Sequence, residues 1–169
     1  GLVPEGKQGK VFSALLEHLK MINYHFDTGI LATPLLLKVL TENGRADLAY
    51  RVMNQRDFPS YGYLADKKNN TLWETWNGDG NDEGCGYCHP MFGSVVAWFY
   101  NSLAGIKPDL SNPGMKHFYV EPVIITSLKY CKATYDSLYG KIRSSWKIDE
   151  NGNLNLQVEI PANTSATVT

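Results

Sequence analysis

The sequence predicts a chain that is all-α first and all-β last, an α+β arrangement in sequence order. Three observations carry this. Up to Leu103, apolar residues recur at spacings of three and four in separate short segments, the helical period. After Gly105 the runs become β-branched and partly alternating. An Asn151-Gly152 pair sits between two such runs, the strongest short-range hairpin signal.

Taken in order, Lys10 to Asn23 reads as a helix, with Val11, Phe12, Leu15, Leu16, Leu19 and Ile22 on one face. Asp27-Thr28-Gly29 is turn chemistry. Thr33 is the expected N-cap of a short apolar helix, Leu35 to Thr41, with Pro34 at its first position and Asn43-Gly44 as its stop. Arg45 to Gln55 reads as a further helix with Leu48, Ala49, Val52 and Met53 inward. Asp57 to Tyr63 is expected to be a loop, and a short extended piece carries Leu72 and Glu74. Pro90 opens a helix to Leu103, with Phe92, Val95, Val96, Phe99 and Leu103 on a shared face and Gly105 ending it. Lys107-Pro108-Asp109 and Ser111-Asn112-Pro113-Gly114 are turns, which places the domain boundary between 1–106 and 107–169. The expected strands are 118–125, 128–137, 141–148, 154–160 and 165–169, an antiparallel sheet forming part of a β-sandwich.

The 169 residues suit one ordinary domain or two small pieces. A formal net charge of −1 argues against a general nucleic-acid or anionic-membrane binder, which needs a basic bias. No apolar run is long enough to span a bilayer. Gly1 to Lys7 lacks a leading Met and an apolar stretch, and both ends look cut from a longer chain, so no compartment is assigned.

The chemistry concentrates in Asn69 to Gly78. Glu74 has Trp73 immediately before it and Trp76 two residues after. A carboxylate beside indoles suits a carbohydrate: apolar sugar faces stack on the rings, and the carboxylate handles hydroxyls or a water. The alternative is a loop glutamate between two core tryptophans. Asn77 to Gly84 resembles a calcium loop in composition, but Asp82 stands where an EF-hand has its glycine and the terminal Glu is missing. Cys85-Gly86-Tyr87-Cys88-His89 fits the haem-attachment spacing, and could also offer three zinc ligands. Neither a second axial haem ligand nor a distant fourth zinc ligand is evident, so two ordinary or disulfide-linked loop cysteines are the preferred reading. His89 precedes Pro90, where it either caps the helix or meets a ligand in the positive field of the helix start. His25 reads as structural, and His18 and His117 carry no signal.

Seven segments, in this order, resemble the C-terminal part of bacterial α-L-rhamnosidases, the inverting hydrolases of glycoside hydrolase family 78. They are Gly1-Leu2-Val3-Pro4, His25-Phe26-Asp27-Thr28-Gly29, Asp47-Leu48-Ala49-Tyr50, Tyr61-Gly62-Tyr63, Thr71-Leu72-Trp73-Glu74-Thr75-Trp76, His89-Pro90-Met91-Phe92-Gly93 and Leu103-Ala104-Gly105-Ile106. The resemblance implies the last helices of an (α/α)6 barrel followed by an antiparallel β-sandwich domain, itself truncated. It implies Glu74 as general base and His89 as a substrate-contacting residue. Trp76 stands at the sugar pocket, and Trp73 joins it as a substrate-binding candidate. It implies a partner that is a rhamnose-containing glycan or glycoside; no cofactor or metal is expected, and charge and apolar run length speak against nucleic acid and membrane. The general acid of such an enzyme lies upstream of this chain. The chain alone is therefore expected to be inactive, and to self-associate through helix faces that the rest of a barrel would cover. The cysteine loop is not a feature of the resemblance. A non-catalytic carbohydrate-binding module using Trp73, Trp76 and the sheet is the alternative.

Overall fold

The structure is a computed structural model that describes residues 2–67, 71–77 and 86–169. Its order is helices first and strands after, as the sequence predicts. The chain divides into two compact units, Gly1–Gly93 and Ser94–Thr169.

In the first unit α1 (Gln8–Met21), α2 (Thr33–Glu42), α3 (Ala46–Met53) and α4 (Tyr61–Asp66) follow one another on short connections. The helical period sets what is buried: Leu19 of α1, Leu36, Leu37 and Leu40 of α2, and Leu48, Ala49 and Val52 of α3. The α2 and α3 helices pack on each other. Helix α2 ends as expected: Gly44 has a φ of 72° and the Arg45 N–H reaches back to the Leu40 carbonyl, satisfying an otherwise orphaned acceptor. Its start differs from expectation. Thr33 is not the N-cap but the first helical residue, fully buried, with its hydroxyl donating to the Gly29 carbonyl at 2.9 Å. A buried hydroxyl takes the nearest acceptor, and here the turn supplies it. The expected loop at 57–63 is helical from Tyr61. Ser60 is its true N-cap, accepting from the Tyr63 N–H at 3.0 Å.

The expected helix from Pro90 to Leu103 is helical throughout but changes its winding. It begins as a tight 3₁₀ turn (Pro90–Ser94), continues as α5 (Val95–Trp98), and widens to a π turn (Phe99–Leu103). The changes of winding rotate the faces out of a uniform 3.6-residue period. Val96 and Phe99, expected inward, are therefore exposed, and Trp98 is buried.

Two three-stranded sheets form the rest of the second unit. One has the order β1 (Ile106–Pro108), β2 (His117–Val120), β6 (Ser165–Val168). The other has β3 (Tyr130–Ser137), β4 (Gly140–Ile148), β5 (Leu154–Glu159). All pairs are antiparallel except β2 with β6, which is parallel because β6 returns to the first sheet only after β3 to β5 are complete. The strand β1 occupies part of an expected turn: Pro108 is tolerated at the end of an edge strand, and the turn begins at Asp109.

The strand expected over 118–125 stops at Val120, and the physical reason is at the end of the π turn. A helix end leaves carbonyls without partners. Here the Ser102 carbonyl accepts from the Val123 N–H at 2.8 Å, and that of Leu103 from the Trp146 indole at 2.7 Å. The Ala104 carbonyl accepts from the Ser144 hydroxyl at 2.7 Å, and that of Gly105 from the Glu121 N–H at 2.9 Å. The Glu121 bond is the last in the register of β1 with β2; beyond it Pro122 has no N–H for a ladder and the Val123 N–H is spent on the helix end. Around this junction Ala104, Ile106, Met115, Phe118, Val120 and Ile142 form one core cluster.

Candidate carbohydrate site

Four of the segments singled out in the sequence meet in the first unit. Trp76 is 9% exposed and packed between two phenylalanines. Its ring stacks on Phe26, centroids 5.0 Å apart at 17°, and lies against Phe92 at 4.2 Å. Tyr61 meets it edge-on at 5.2 Å. Such pairs contribute roughly 0.5–1.5 kcal/mol each beyond area burial, enough to fix the indole in one pose. The Trp76 indole N–H donates to the Thr28 carbonyl at 2.7 Å. The Tyr61 hydroxyl, whose ionisation burial pushes far above its ordinary range, donates to the Phe92 carbonyl at 2.7 Å.

Beside this cluster opens a cleft of about 530 Å³. Glu74, Trp76, Phe26 and Phe92 line it, together with Asp27 and His25. Apolar rings beside a few polar groups are the usual composition of a small-ligand site. Glu74 is half-buried and held from one side: its Oε2 accepts the Gly86 N–H at 2.9 Å, and its own N–H donates to the Gly86 carbonyl at 2.9 Å. A Cβ on residue 86 would stand 3.3 Å from that oxygen, a tight contact that would move the carboxylate by a few tenths of an ångström. The Leu72 carbonyl also accepts from the His89 N–H at 2.8 Å. The segments 72–74 and 86–89 are therefore tied backbone to backbone.

Glu74 and Trp76 line the cleft; Trp73 and His89 are not among its lining residues. Trp73 is buried and meets Tyr87 edge-on at 6.0 Å. The His89 Nδ1 accepts from the Met91 N–H at a long 3.4 Å, the capping geometry at the start of the 90–94 turn. The expected calcium loop at 77–84 and Cys85 of the Cys-x-x-Cys-His segment lie almost wholly outside the described residues. Among the described residues no group of three or more His, Cys, Asp or Glu side chains could hold a metal ion. No described helix is long and apolar enough to cross a membrane.

Sequence reasoning did not single out Asp27 or His25 as site residues, although both belong to a matching segment. Asp27 is paired with His18. His25 is 8% exposed; its Nε2 meets Asp57 Oδ1 at 2.8 Å and its Nδ1 meets the Ile22 carbonyl at 3.2 Å. Both partners are acceptors, so the arrangement suits a doubly protonated ring. Burial pulls the His25 pKa down, but the Asp57 hydrogen bond, the Ile22 carbonyl and the Asp57 charge together outweigh it, and the net shift is upward from 6.5. The hydrogen bond from His25 in turn lowers Asp57 from its usual 3.8. A raised histidine stabilises the fold below its unfolded pKa and loses that contribution as pH rises through the folded value; the lowered Asp57 loses its own as pH falls below 3.8. Thermal stability is therefore expected to decline from pH 6 to pH 8 through this pair, weakly because Asp57 is solvent-exposed. Asp57→Asn should flatten that slope and lower the His25 pKa in an NMR titration; an unmoved His25 titration would refute the pairing.

A helical unit carrying an aromatic cleft with a fixed carboxylate, followed by two sheets, is the architecture of a glycoside hydrolase with a helical hairpin domain and an appended β domain. Residues 1–103 match the bacterial alpha-L-rhamnosidase 6 hairpin glycosidase domain, and residues 105–169 match the bacterial alpha-L-rhamnosidase C-terminal domain. The chain belongs to the bacterial α-L-rhamnosidase family. It is 35% identical to an alpha-L-rhamnosidase of Streptomyces avermitilis over 99% of its own length and 16% of the relative's, and 33% identical to one of Formosa agariphila over 99% and 18%. Solved structures agree. The alpha-L-rhamnosidase of Dictyoglumus thermophilum superposes with a TM-score of 0.88 at 37% identity, over 99% of this chain and 19% of that one. The Streptomyces avermitilis enzyme, complexed with L-rhamnose, gives 0.88 at 35%, over 99% and 16%. The chain thus spans less than a fifth of the curated relatives it matches.

Proposed function

We propose that this chain is the C-terminal portion of an α-L-rhamnosidase and supplies its general base, Glu74, for inverting hydrolysis of terminal α-L-rhamnosides. In this reading residues 1–106 complete an (α/α)6 barrel and residues 107–169 begin the β-sandwich that follows. The observation that carries it is the placement of Glu74: one oxygen is held by the Gly86 N–H, on a cleft walled by Trp76, Phe26 and Phe92. Inversion needs an acid to protonate the leaving oxygen and a carboxylate to activate water on the opposite face, the two roughly 6.5–9.5 Å apart. In this reading Glu74 takes the second role. The Gly86 N–H holds one oxygen, and the other would take a proton from water. His89 would contact a sugar hydroxyl and Trp76 would wall the sugar, while Trp73, buried beside the cleft, would support them.

One carboxylate cannot do both jobs, so the chain by itself should not hydrolyse an aryl α-L-rhamnoside. Turnover by the isolated chain would overturn the division of labour. The site assignment is tested by steady-state kinetics of the intact enzyme and its Glu74→Gln variant on the same substrate. An apolar stripe supports self-association of the isolated chain: Leu35 and Val39 of α2 lie one turn apart and exposed, with Leu31 just before them at 70% exposure. Light scattering should show dimers or larger species, and a strict monomer at high concentration would rule this out.

A further inference from the structure

The outer face of the β3–β4–β5 sheet is polar and unevenly charged. Ile142, Ser144 and Trp146 of β4 are buried, so the alternate residues of that strand and their cross-strand partners face outward. They form rows across the sheet. Asp136 stands opposite Lys141, and Thr134, Arg143 and Glu159 form the next row. In these two rows the charges cancel: Lys141 pairs with Asp136 at 2.6 Å, and Arg143 pairs with Glu159. The two rows at the other end are Lys132, Ser145 and Gln157, then Tyr130, Lys147 and Asn155. They hold two lysines and no acidic residue, and among the described residues neither lysine has a carboxylate partner. This doubly positive end belongs to a chain whose net charge is −1.

The same two rows line a groove of about 450 Å³. Tyr130 lines it with 66% of its surface exposed. An exposed ring offers a stacking face; Ser145, Asn155 and Gln157 offer donors and acceptors for hydroxyls; Lys132 and Lys147 offer charge. A single ring beside three hydroxyl or amide side chains fits a sugar better than a run of stacked bases, which needs successive aromatic platforms. The adjoining groove brings Glu159 beside Lys132, but that carboxylate is paired with Arg143, so the two lysines leave this end with surplus positive charge, which selects for an anion.

We propose that this end of the sheet is a binding site for acidic glycans, those whose sugars carry carboxylates. The site shares no residue with the Glu74 cleft and does not rest on the reading of that cleft. It is tested by affinity electrophoresis of the whole chain in gels containing polygalacturonate, with dextran as the neutral glycan and single-stranded DNA as a polyanion whose charge sits on phosphates instead of sugar carboxylates. Polygalacturonate should retard the chain, less so as salt rises, and dextran should not. Lys132→Ala with Lys147→Ala should weaken retention by about tenfold, the sum expected of two exposed ion pairs. Tyr130→Ala should weaken it without changing the salt dependence. All these positions are exposed, and circular dichroism verifies that the variants keep their fold. No retardation by polygalacturonate, equal retardation by dextran, or equal retardation by DNA would each overturn the proposal. So would full retention in the charge-reversed Lys132→Glu, Lys147→Glu variant.

Discussion

Replacing Glu74 by Gln in the intact enzyme is expected to lower kcat by roughly 10²–10⁴-fold, the range for loss of general acid–base catalysis. The substitution keeps shape and volume. The side-chain oxygen can still accept from Gly86, so the local fold is expected to stay as it is. What disappears is the capacity to take a proton from water. Sugar binding changes little, so KM should stay near its original value and the loss should appear in kcat and kcat/KM together, the signature of an interaction made only in the transition state. His89→Ala should behave differently. On the proposed reading it removes a sugar-hydroxyl partner in both ground and transition states, so KM should rise more than kcat falls. Near-wild-type kcat in Glu74→Gln would show that another group is the base.

Gly105→Ala is expected to be among the most destabilising single changes in the second unit. Gly105 has a φ of 75°, a region that costs an L-residue roughly 1–2 kcal/mol. The larger cost is steric. A Cβ there would lie 2.2 Å from the Pro122 nitrogen and 2.3 Å from the Glu121 carbonyl carbon. Both are backbone atoms, so no side chain can swing aside. They also belong to the segment whose N–H groups satisfy Ser102 and Gly105, so moving them breaks those bonds. Roughly 3–5 kcal/mol follows from overpacking and lost buried hydrogen bonds together. That corresponds to a fall in Tm of about 10 °C or more for a unit of this size. Gly114→Ala is the control. Its φ is 81°, but its Cβ would meet only Leu138 Cδ1 at 3.7 Å, so the cost should be roughly 1–2 kcal/mol, that of backbone strain alone. Equal effects of the two would show that the close approach at Gly105 is not what matters.

The sequence by itself determined the order of helices and strands, because periods of 3.6 and 2 are local properties that survive without any tertiary contact. It also determined the end of α2 at Gly44 and the turn at 149–153, where the Asp149 N–H donates to Asn153 and its carboxylate accepts from Asn151 and Asn153. Glu74 was visible as a candidate because indoles flank it in sequence. What only the tertiary structure decided is what each group faces. Nothing local tells that Phe26 and Phe92 cover Trp76, that His25 and Asp27 share the cleft of Glu74, or that Gly86 holds its carboxylate. Even the nearest of those partners, Gly86, is 12 residues from the group it holds. The same holds where expectation and structure part. Thr33 gave up capping for a buried hydrogen bond, and the strand after Val120 stops where Pro122 has no N–H and Val123 is bonded to the helix end. In both places a local preference of about 1 kcal/mol met a polar group whose unmet hydrogen bond costs about 1–3 kcal/mol, and the hydrogen bond prevailed.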